Sequence, residues 1–159
     1  MDRRHFLAAT AAAVGSRPAA ARADSIKVAP TDWPWWRGFA RDGVAAEQEV
    51  PLEWAKGKGV RWAAPVPGRG HGSPVVVGER VFLATAEPEG EVQSVLCLDR
   101  MTGKRLWQAP VHTGNFAKGG NAKSSHASST PACDGERVYI NFLNGGGVHP
   151  RAPVALDEL

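Results

Sequence analysis

The sequence predicts an all-β fold built from consecutive four-stranded antiparallel sheets. Three observations predict it. Glycine and proline are frequent, with 18 and 12 residues among 159, and helix-forming runs are scarce after residue 24, which is typical of short strands joined by turns. One segment of the chain recurs further on. A third stretch, Leu96–Trp107, combines an apolar run with a tightly specified turn.

The recurring segment reads SPVVVGERVFLATA at its first occurrence and TPACDGERVYINFL at its second. Each copy has a proline, three residues, and then Gly-Glu-Arg-Val followed by an aromatic residue and an aliphatic one. Pro74 and Pro131 lie 57 positions apart, and Gly78 and Gly135 share that offset. Two landmarks with one offset indicate an internal repeat.

Each copy of the repeat predicts a set of short strands. The first copy predicts strands over 73–77, 80–86, 91–98 and 104–111. The second copy predicts strands over 131–133 and 137–143, followed by a turn at 144–147. Four antiparallel strands in about 40–50 residues is the pattern of a propeller blade. We therefore expect a partial β-propeller with about two blades, of which the second is truncated.

The stretch Leu96–Trp107 specifies a hairpin between two of these strands. Asp99 at a strand end can accept hydrogen bonds from nearby backbone N–H groups, and Gly103 can take the positive φ that such a hairpin needs. Lys104 is predicted to start the outgoing strand. We expect the indole of Trp107 to cover the loop backbone of the neighbouring blade and to donate a hydrogen bond to a carbonyl there.

This stretch resembles the docking motif Ala-x-Asp-x-x-Thr-Gly-x-x-x-Trp of pyrroloquinoline-quinone-type propeller repeats, in the quinoprotein alcohol dehydrogenase-like superfamily. The motif positions are Cys97, Asp99, Thr102, Gly103, Lys104 and Trp107. Cys97 stands where alanine is usual, and both residues are small. The segments DWPWWRGFARDG (32–43) and VRWAAPVPGRGHGSPVV (60–76) are similar to a subgroup of secreted bacterial proteins with this fold. The resemblance implies an N-terminal fragment of a longer propeller, whose remaining blades would be its partners.

Three parts of the chain are distinguished by composition: a signal peptide (1–23), a tryptophan-rich lead-in (24–59) and propeller repeats (60–159). The first part has paired arginines, a short apolar stretch from Phe6 to Val14 and a small-residue end, which is typical of an export signal. Its Arg-Arg-His-Phe-Leu string resembles the twin-arginine signal. These features predict cleavage after Ala23 and a bacterial periplasmic or secreted protein. An N-terminal amphipathic helix is the alternative.

The charge of the mature part is balanced. The chain has 19 basic and 16 acidic residues, and removing the four arginines and one aspartate of residues 1–23 leaves 15 of each. A neutral protein lacks the electrostatic footprint of a nucleic-acid or anionic-lipid binder. After the signal, no segment is apolar enough to span a membrane. We therefore expect neither a nucleic-acid partner nor a membrane span.

Few residues are candidates for catalysis. The resemblance implies that the quinone-dependent dehydrogenases of this fold hold a quinone in the central channel. The quinone lies near calcium, a catalytic aspartate and two adjacent cysteines. Here Cys97 and Cys133 are far apart in sequence, and no carboxylate matches the catalytic one. The sequence thus predicts a protein that is not an enzyme and that has no catalytic residues, cofactor or metal. A quinone and calcium are expected only in the alternative that the chain is part of a quinone-dependent dehydrogenase. The two cysteines form either a disulfide or two buried thiols.

Two loops carry candidate ligand-facing residues. Arg69 and His71 lie in PGRGHGSP before the first blade, and His126 lies in AKSSHASST before the second. They are candidates to face the channel mouth, where the N–H groups of glycine loops bind anions. Ordinary solvated loops are the alternative, since neither histidine has an acidic or cysteine partner at metal-ligand spacing. Similarly, WPWW (33–36) suits either stacking of a sugar ring or propeller packing.

Three functions are compatible with these observations. The first is an exported, non-catalytic binding or scaffold propeller for an unidentified protein or small-molecule ligand. The second is the N-terminal part of a periplasmic quinone-dependent alcohol or sugar dehydrogenase. The third is a propeller for envelope assembly, similar to the outer-membrane assembly lipoprotein, although no lipidation cysteine follows the signal.

Overall fold

The predicted all-β class is confirmed by a computed structural model of the chain, which describes residues 27–46, 49–55, 57–118, 123–150 and 154–155. The predicted signal peptide lies outside these residues. Within them there is no helix, and the strands form three antiparallel sheets. The strands are β1 (Val75–Val77), β2 (Arg80–Glu87), β3 (Val92–Asp99), β4 (Arg105–Thr113), β5 (Ala132–Cys133), β6 (Arg137–Tyr139), β7 (Asn141–Asn144), β8 (Gly147–Pro150) and β9 (Val154–Ala155).

The first sheet is a complete four-stranded meander in the order β1-β2-β3-β4. Its register aligns Val75, Phe82, Cys97 and Trp107 in one row across the four strands. The first three of these residues are fully buried and the indole is half-buried. Because neighbouring residues in a row point to the same face, this row gives the sheet a continuous apolar face.

The second copy of the repeat forms the same hairpin as the first. Ala132 pairs with Tyr139 and Cys133 with Val138, which reproduces the register of β1 against β2. The predicted single strand over 137–143 is wrong, because the chain breaks at the buried Ile140 into β6 and β7. The two halves pair with different strands: β6 pairs with β9, and β7 pairs with β8.

Proline explains why the partner of β6 and β7 is also divided. Strand β8 ends at Pro150, which has no N–H group to continue the ladder. Strand β9 (Val154–Ala155) pairs with β6. The region of the second hairpin is therefore less regular than the first sheet.

The core lies between the two hairpin regions. It joins Val75 and Phe82 of the first sheet to Cys133 and Val138 of the second and to Phe142 of the third, so the sheets pack face to face like neighbouring propeller blades. In the described part of the chain, no helix is long and apolar enough to cross a membrane.

Candidate functional site

The turn between β3 and β4 is closed by one carboxylate. Oδ1 of Asp99 accepts hydrogen bonds from the backbone N–H of Met101 (3.1 Å), from the N–H of Thr102 (2.7 Å) and from the Thr102 hydroxyl (2.7 Å). The hydroxyl bond, followed by the N–H bonds, lowers the pKa of Asp99 below its usual value. Gly103 has φ of 72° and donates its N–H to the carbonyl of Asp99 at 2.8 Å.

An indole covers this turn, and it belongs to Trp62. Its Nε1 donates a hydrogen bond of 2.9 Å to the carbonyl of Arg100. The ring lies so close to Gly103 that an added Cβ there would overlap its Cε3 atom. The absence of a side chain at Gly103 thus serves both the positive φ and the close approach of the indole. Trp62 therefore joins the segment before the first sheet to that sheet's outer hairpin.

Trp107, the tryptophan of the predicted docking motif, lies elsewhere. Its half-buried ring packs on Phe82, with ring centroids 5.9 Å apart and a 41° tilt, and it contacts the core between the sheets. The contact of Trp107 with a turn of the neighbouring blade stays a prediction. The sequence analysis missed Trp62, although Trp-x-Ala-Pro-Val occurs at both Trp62 and Trp107.

Residues 27–35, which we name the inner strap, run along the first strands of both hairpins. The N–H and carbonyl of Trp33 bond to the carbonyl and N–H of Val76 at 2.7 and 2.9 Å. On the other side, Pro34 accepts from the N–H of Cys133 at 2.8 Å, and Lys27 donates its N–H to the carbonyl of Asp134 at 2.7 Å. Since β1 and β5 are the edge strands of their sheets, the strap covers both edges.

Asp32 anchors the inner strap to the turn between β1 and β2. The carboxylate is 7% exposed, and its two oxygens accept hydrogen bonds from the N–H of Ala29 (2.7 Å) and of Gly78 (3.0 Å). The strap also approaches the second hairpin closely, because a Cβ at Gly135 would overlap the carbonyl of Lys27. One segment thus engages both glycine turns of the repeat.

The structure brings the loops of the predicted ligand-facing residues together through backbone contacts. His71 donates its N–H to the carbonyl of Ala127 at 3.0 Å, beside His126. The side chains differ: Arg69 and His71 are exposed, whereas His126 is half-buried and packs on Phe116 with ring centroids 4.2 Å apart. The channel-mouth role stays a prediction for all three.

A buried polar network joins the first sheet to strand β7 of the third sheet and to the loop that holds His126. Gln93 is fully buried, and its Nε2 donates to the carbonyls of His126 (2.6 Å) and Leu143 (3.0 Å). Across the β3–β4 ladder it pairs with His112, whose Nε2 lies 3.0 Å from Nδ2 of Asn144. The sequence analysis missed this network, because its members occupy ordinary strand positions and form no motif.

The two cysteines are separate thiols. Cys97 and Cys133 are both free and buried in the core between the sheets. Burial is the main cause that raises the pKa of each thiol to about 11. Of the two possibilities left open by the sequence, a disulfide and two buried thiols, the structure shows two buried thiols.

Two features of the described residues bear on the quinone and calcium that the resemblance implies for its enzymes. The cysteines are not adjacent, and they are buried within the protein core. Among the residues that the structure describes, no group of three or more His, Cys, Asp or Glu side chains could hold a metal ion.

One family comparison identifies the fold's relatives. The model of the family described as outer membrane protein assembly factor BamB matches residues 44–155, more than half of the chain. The chain belongs to this family. The match contains both hairpins of the repeat, the Asp99 turn and Trp62, so the predicted resemblance to quinone-type propeller repeats is confirmed. The comparisons with curated proteins and with solved structures give no significant match.

Proposed function

We propose that the chain is part of an exported, non-catalytic β-propeller that binds a protein or small-molecule ligand in the bacterial periplasm or outside the cell. The observation that carries this proposal is the inner strap on the edges of β1 and β5. Fold alone does not assign a function, but this segment occupies the edges of the first strands of the two hairpins.

Propeller blades surround a central channel, and the resemblance implies that family enzymes hold their quinone there. In this chain the Trp33 backbone occupies the hydrogen-bonding edge of Val76, and Pro34 occupies that of Cys133. A channel ligand at these strands would compete with the chain's own residues. The loops remain accessible, and the exposed Arg69 and His71 suit recognition of a partner better than chemistry.

The catalytic alternative is tested with the quinone itself. Full-length protein is titrated with pyrroloquinoline quinone and calcium in a calorimeter and then assayed with alcohols, sugars and an artificial electron acceptor. We expect neither binding heat nor reduction of the acceptor. Quinone-dependent reduction would overturn the proposal in favour of a dehydrogenase.

Export and partner capture are tested in cells. We expect the mature protein to begin after Ala23, as read by N-terminal sequencing of the periplasmic or culture fraction. Tagged protein should retain a partner from periplasmic extract without turning it over. Retention in the cytoplasm with an intact N-terminus would contradict export.

Envelope assembly is the second candidate, and the family description favours it because it names an outer membrane assembly factor. This candidate predicts that deletion of the gene lowers the amount of folded outer membrane proteins. It also predicts that cross-linking in cells joins the protein to the assembly machinery. Unchanged outer membrane protein levels in the deletion strain would remove this candidate and leave the first one.

A further inference from the structure

Residues 35–43, which we name the aromatic loop, follow the inner strap and combine exposed aromatic rings with arginines. Trp36 is 64% exposed and Phe39 is 40% exposed. The guanidinium of Arg37 lies over the Trp36 ring at 5.5 Å from its centroid, and that of Arg41 lies over the Trp35 ring at 5.0 Å. The loop thus presents two indole–guanidinium pairs, of which the Trp36 pair is open to solvent.

The backbone holds these pairs in place. Arg37 has φ of 67° and Arg41 has φ of 62°, values that residues with side chains rarely adopt and that cluster at binding and catalytic sites. The loop is closed by the bond from the Gly43 N–H to the Arg37 carbonyl (2.9 Å). Nη2 of Arg37 also donates to the carbonyl of Asp42 at 2.8 Å. The arginines are therefore pre-organised.

The loop is fixed to the sheets through Trp33. A Cβ at Gly38 would come 2.6 Å from the Trp33 ring, and the Trp33 backbone is bonded to Val76 of β1. Because this pairing is antiparallel, the chain after Pro34 runs towards the end of β1 where the His71 loop enters. The aromatic loop is thereby directed to the side of the predicted channel mouth.

Electrostatics leave the two arginines available to an anion. The nearby carboxylates are turned to backbone N–H groups: Asp32 accepts from Ala29 and Gly78, and Asp42 accepts from Val44 at 2.8 Å. Among the described residues, neither Arg37 nor Arg41 forms an ion pair with a carboxylate. The site therefore combines positive charge with an open aromatic face.

We propose that the aromatic loop binds an acidic saccharide, with a uronic acid ring on the Trp36 indole and its carboxylate on Arg37 and Arg41. A sugar ring has an apolar C–H face that suits an exposed indole, and a carboxylate matches the planar fork of a guanidinium. The balanced charge of residues 24–159 argues against nucleic acid, which needs a broad basic surface. The inference rests on the proposed binding function and names its ligand class.

The test is a titration of the full-length protein with defined oligosaccharides. An oligomer of uronic acid is compared with a neutral hexose oligomer of equal length, by calorimetry and tryptophan fluorescence. We expect binding of the acidic oligomer alone, weakened by added salt. Trp36→Ala and Arg37→Gly should each weaken it about tenfold. Glycine suits the positive φ of Arg37, so this variant should keep its thermal unfolding midpoint.

Trp54→Ala is the matched control, because Trp54 is 70% exposed but lies outside the loop. This variant should bind the acidic oligomer with the same affinity as the wild type. The inference is overturned if the wild type does not bind the acidic oligomer. It is also overturned if Trp36→Ala and Arg37→Gly bind the oligomer as tightly as the wild type does. If a partner from periplasmic extract is then still captured, the proposed binding function stands without it. Quinone-dependent turnover would instead overturn the binding function.

Discussion

Removing the Trp62 indole should loosen the outer hairpin of the first sheet by an amount that the structure allows us to estimate. The half-buried ring covers Gly103 and donates to Arg100. Burying roughly 100 Å² of indole is worth about 2.5 kcal/mol at about 25 cal/mol per Å², and the hydrogen bond adds about 1 kcal/mol. Trp62→Ala should therefore lower the free energy of unfolding by about 3.5 kcal/mol. Trp62→Phe should lower it by about 1 kcal/mol.

A double-mutant cycle with Gly103→Ala tests whether contact with the turn is the cause. In the wild type, the new methyl group meets the Trp62 ring and also strains a backbone with φ of 72°. In a Trp62→Ala background only the backbone strain remains, so the second substitution should be milder by about 1–2 kcal/mol.

Urea denaturation followed by near-UV circular dichroism gives the four free energies of this cycle. Trp54→Ala is the control, since that ring is 70% exposed and its loss should change stability by less than about 0.5 kcal/mol. Additive effects of Trp62→Ala and Gly103→Ala would refute the reasoning, because they would mean that the indole does not rest on the glycine.

Three further predictions concern polar groups. The pKa of Asp99 is lower in the folded protein than in the unfolded chain. The ionised Asp99 carboxylate therefore stabilises the fold at pH values above its unfolded pKa, and this stabilisation is lost as the pH falls through its folded pKa. Asp99→Asn should remove this part of the fall of the unfolding midpoint in acid. Cys97 and Cys133, with pKa values of about 11, should not react with a disulfide reagent at pH 8 until urea unfolds the protein, and rapid native labelling would contradict their burial. Asp32→Ala should cost about 2 kcal/mol, since it removes the hydrogen bonds that the carboxylate accepts from the N–H groups of Ala29 and Gly78, and should speed hydrogen exchange at Gly78; unchanged exchange there would show that the strap does not need this carboxylate.

The regular sheet could be predicted from the sequence because its signals are local. Strand β2 was expected over 80–86 and spans Arg80–Glu87, and β3 was expected over 91–98 and spans Val92–Asp99. Alternating apolar residues and glycine turns fix such strands within a few positions. The break at Ile140 was not predictable in this way, because it depends on which distant strands β6 and β7 find as partners.

Trp62 escaped prediction because the repeat is interrupted by a loop of unequal length. Trp62 precedes Pro74 by 12 positions, whereas Trp107 precedes Pro131 by 24. A search at the single offset of 57 positions therefore misses the Trp-x-Ala-Pro-Val copy. The inner strap and the Gln93 network were hidden for a different reason. Their contacts use backbone groups and single buried amides, which leave no periodic trace in the sequence.

The two glycines of the repeat show how one asymmetric strap differentiates two equivalent turns. Gly78 and Gly135 both have positive φ, 55° and 99°, so the turn itself explains why neither carries a side chain. At Gly78 a Cβ would meet open space, and the strap engages the turn through the N–H that Asp32 accepts. At Gly135 the Lys27 carbonyl fills the place of a Cβ. An alanine at Gly78 would therefore strain only its own turn, whereas an alanine at Gly135 would also displace the strap from β5.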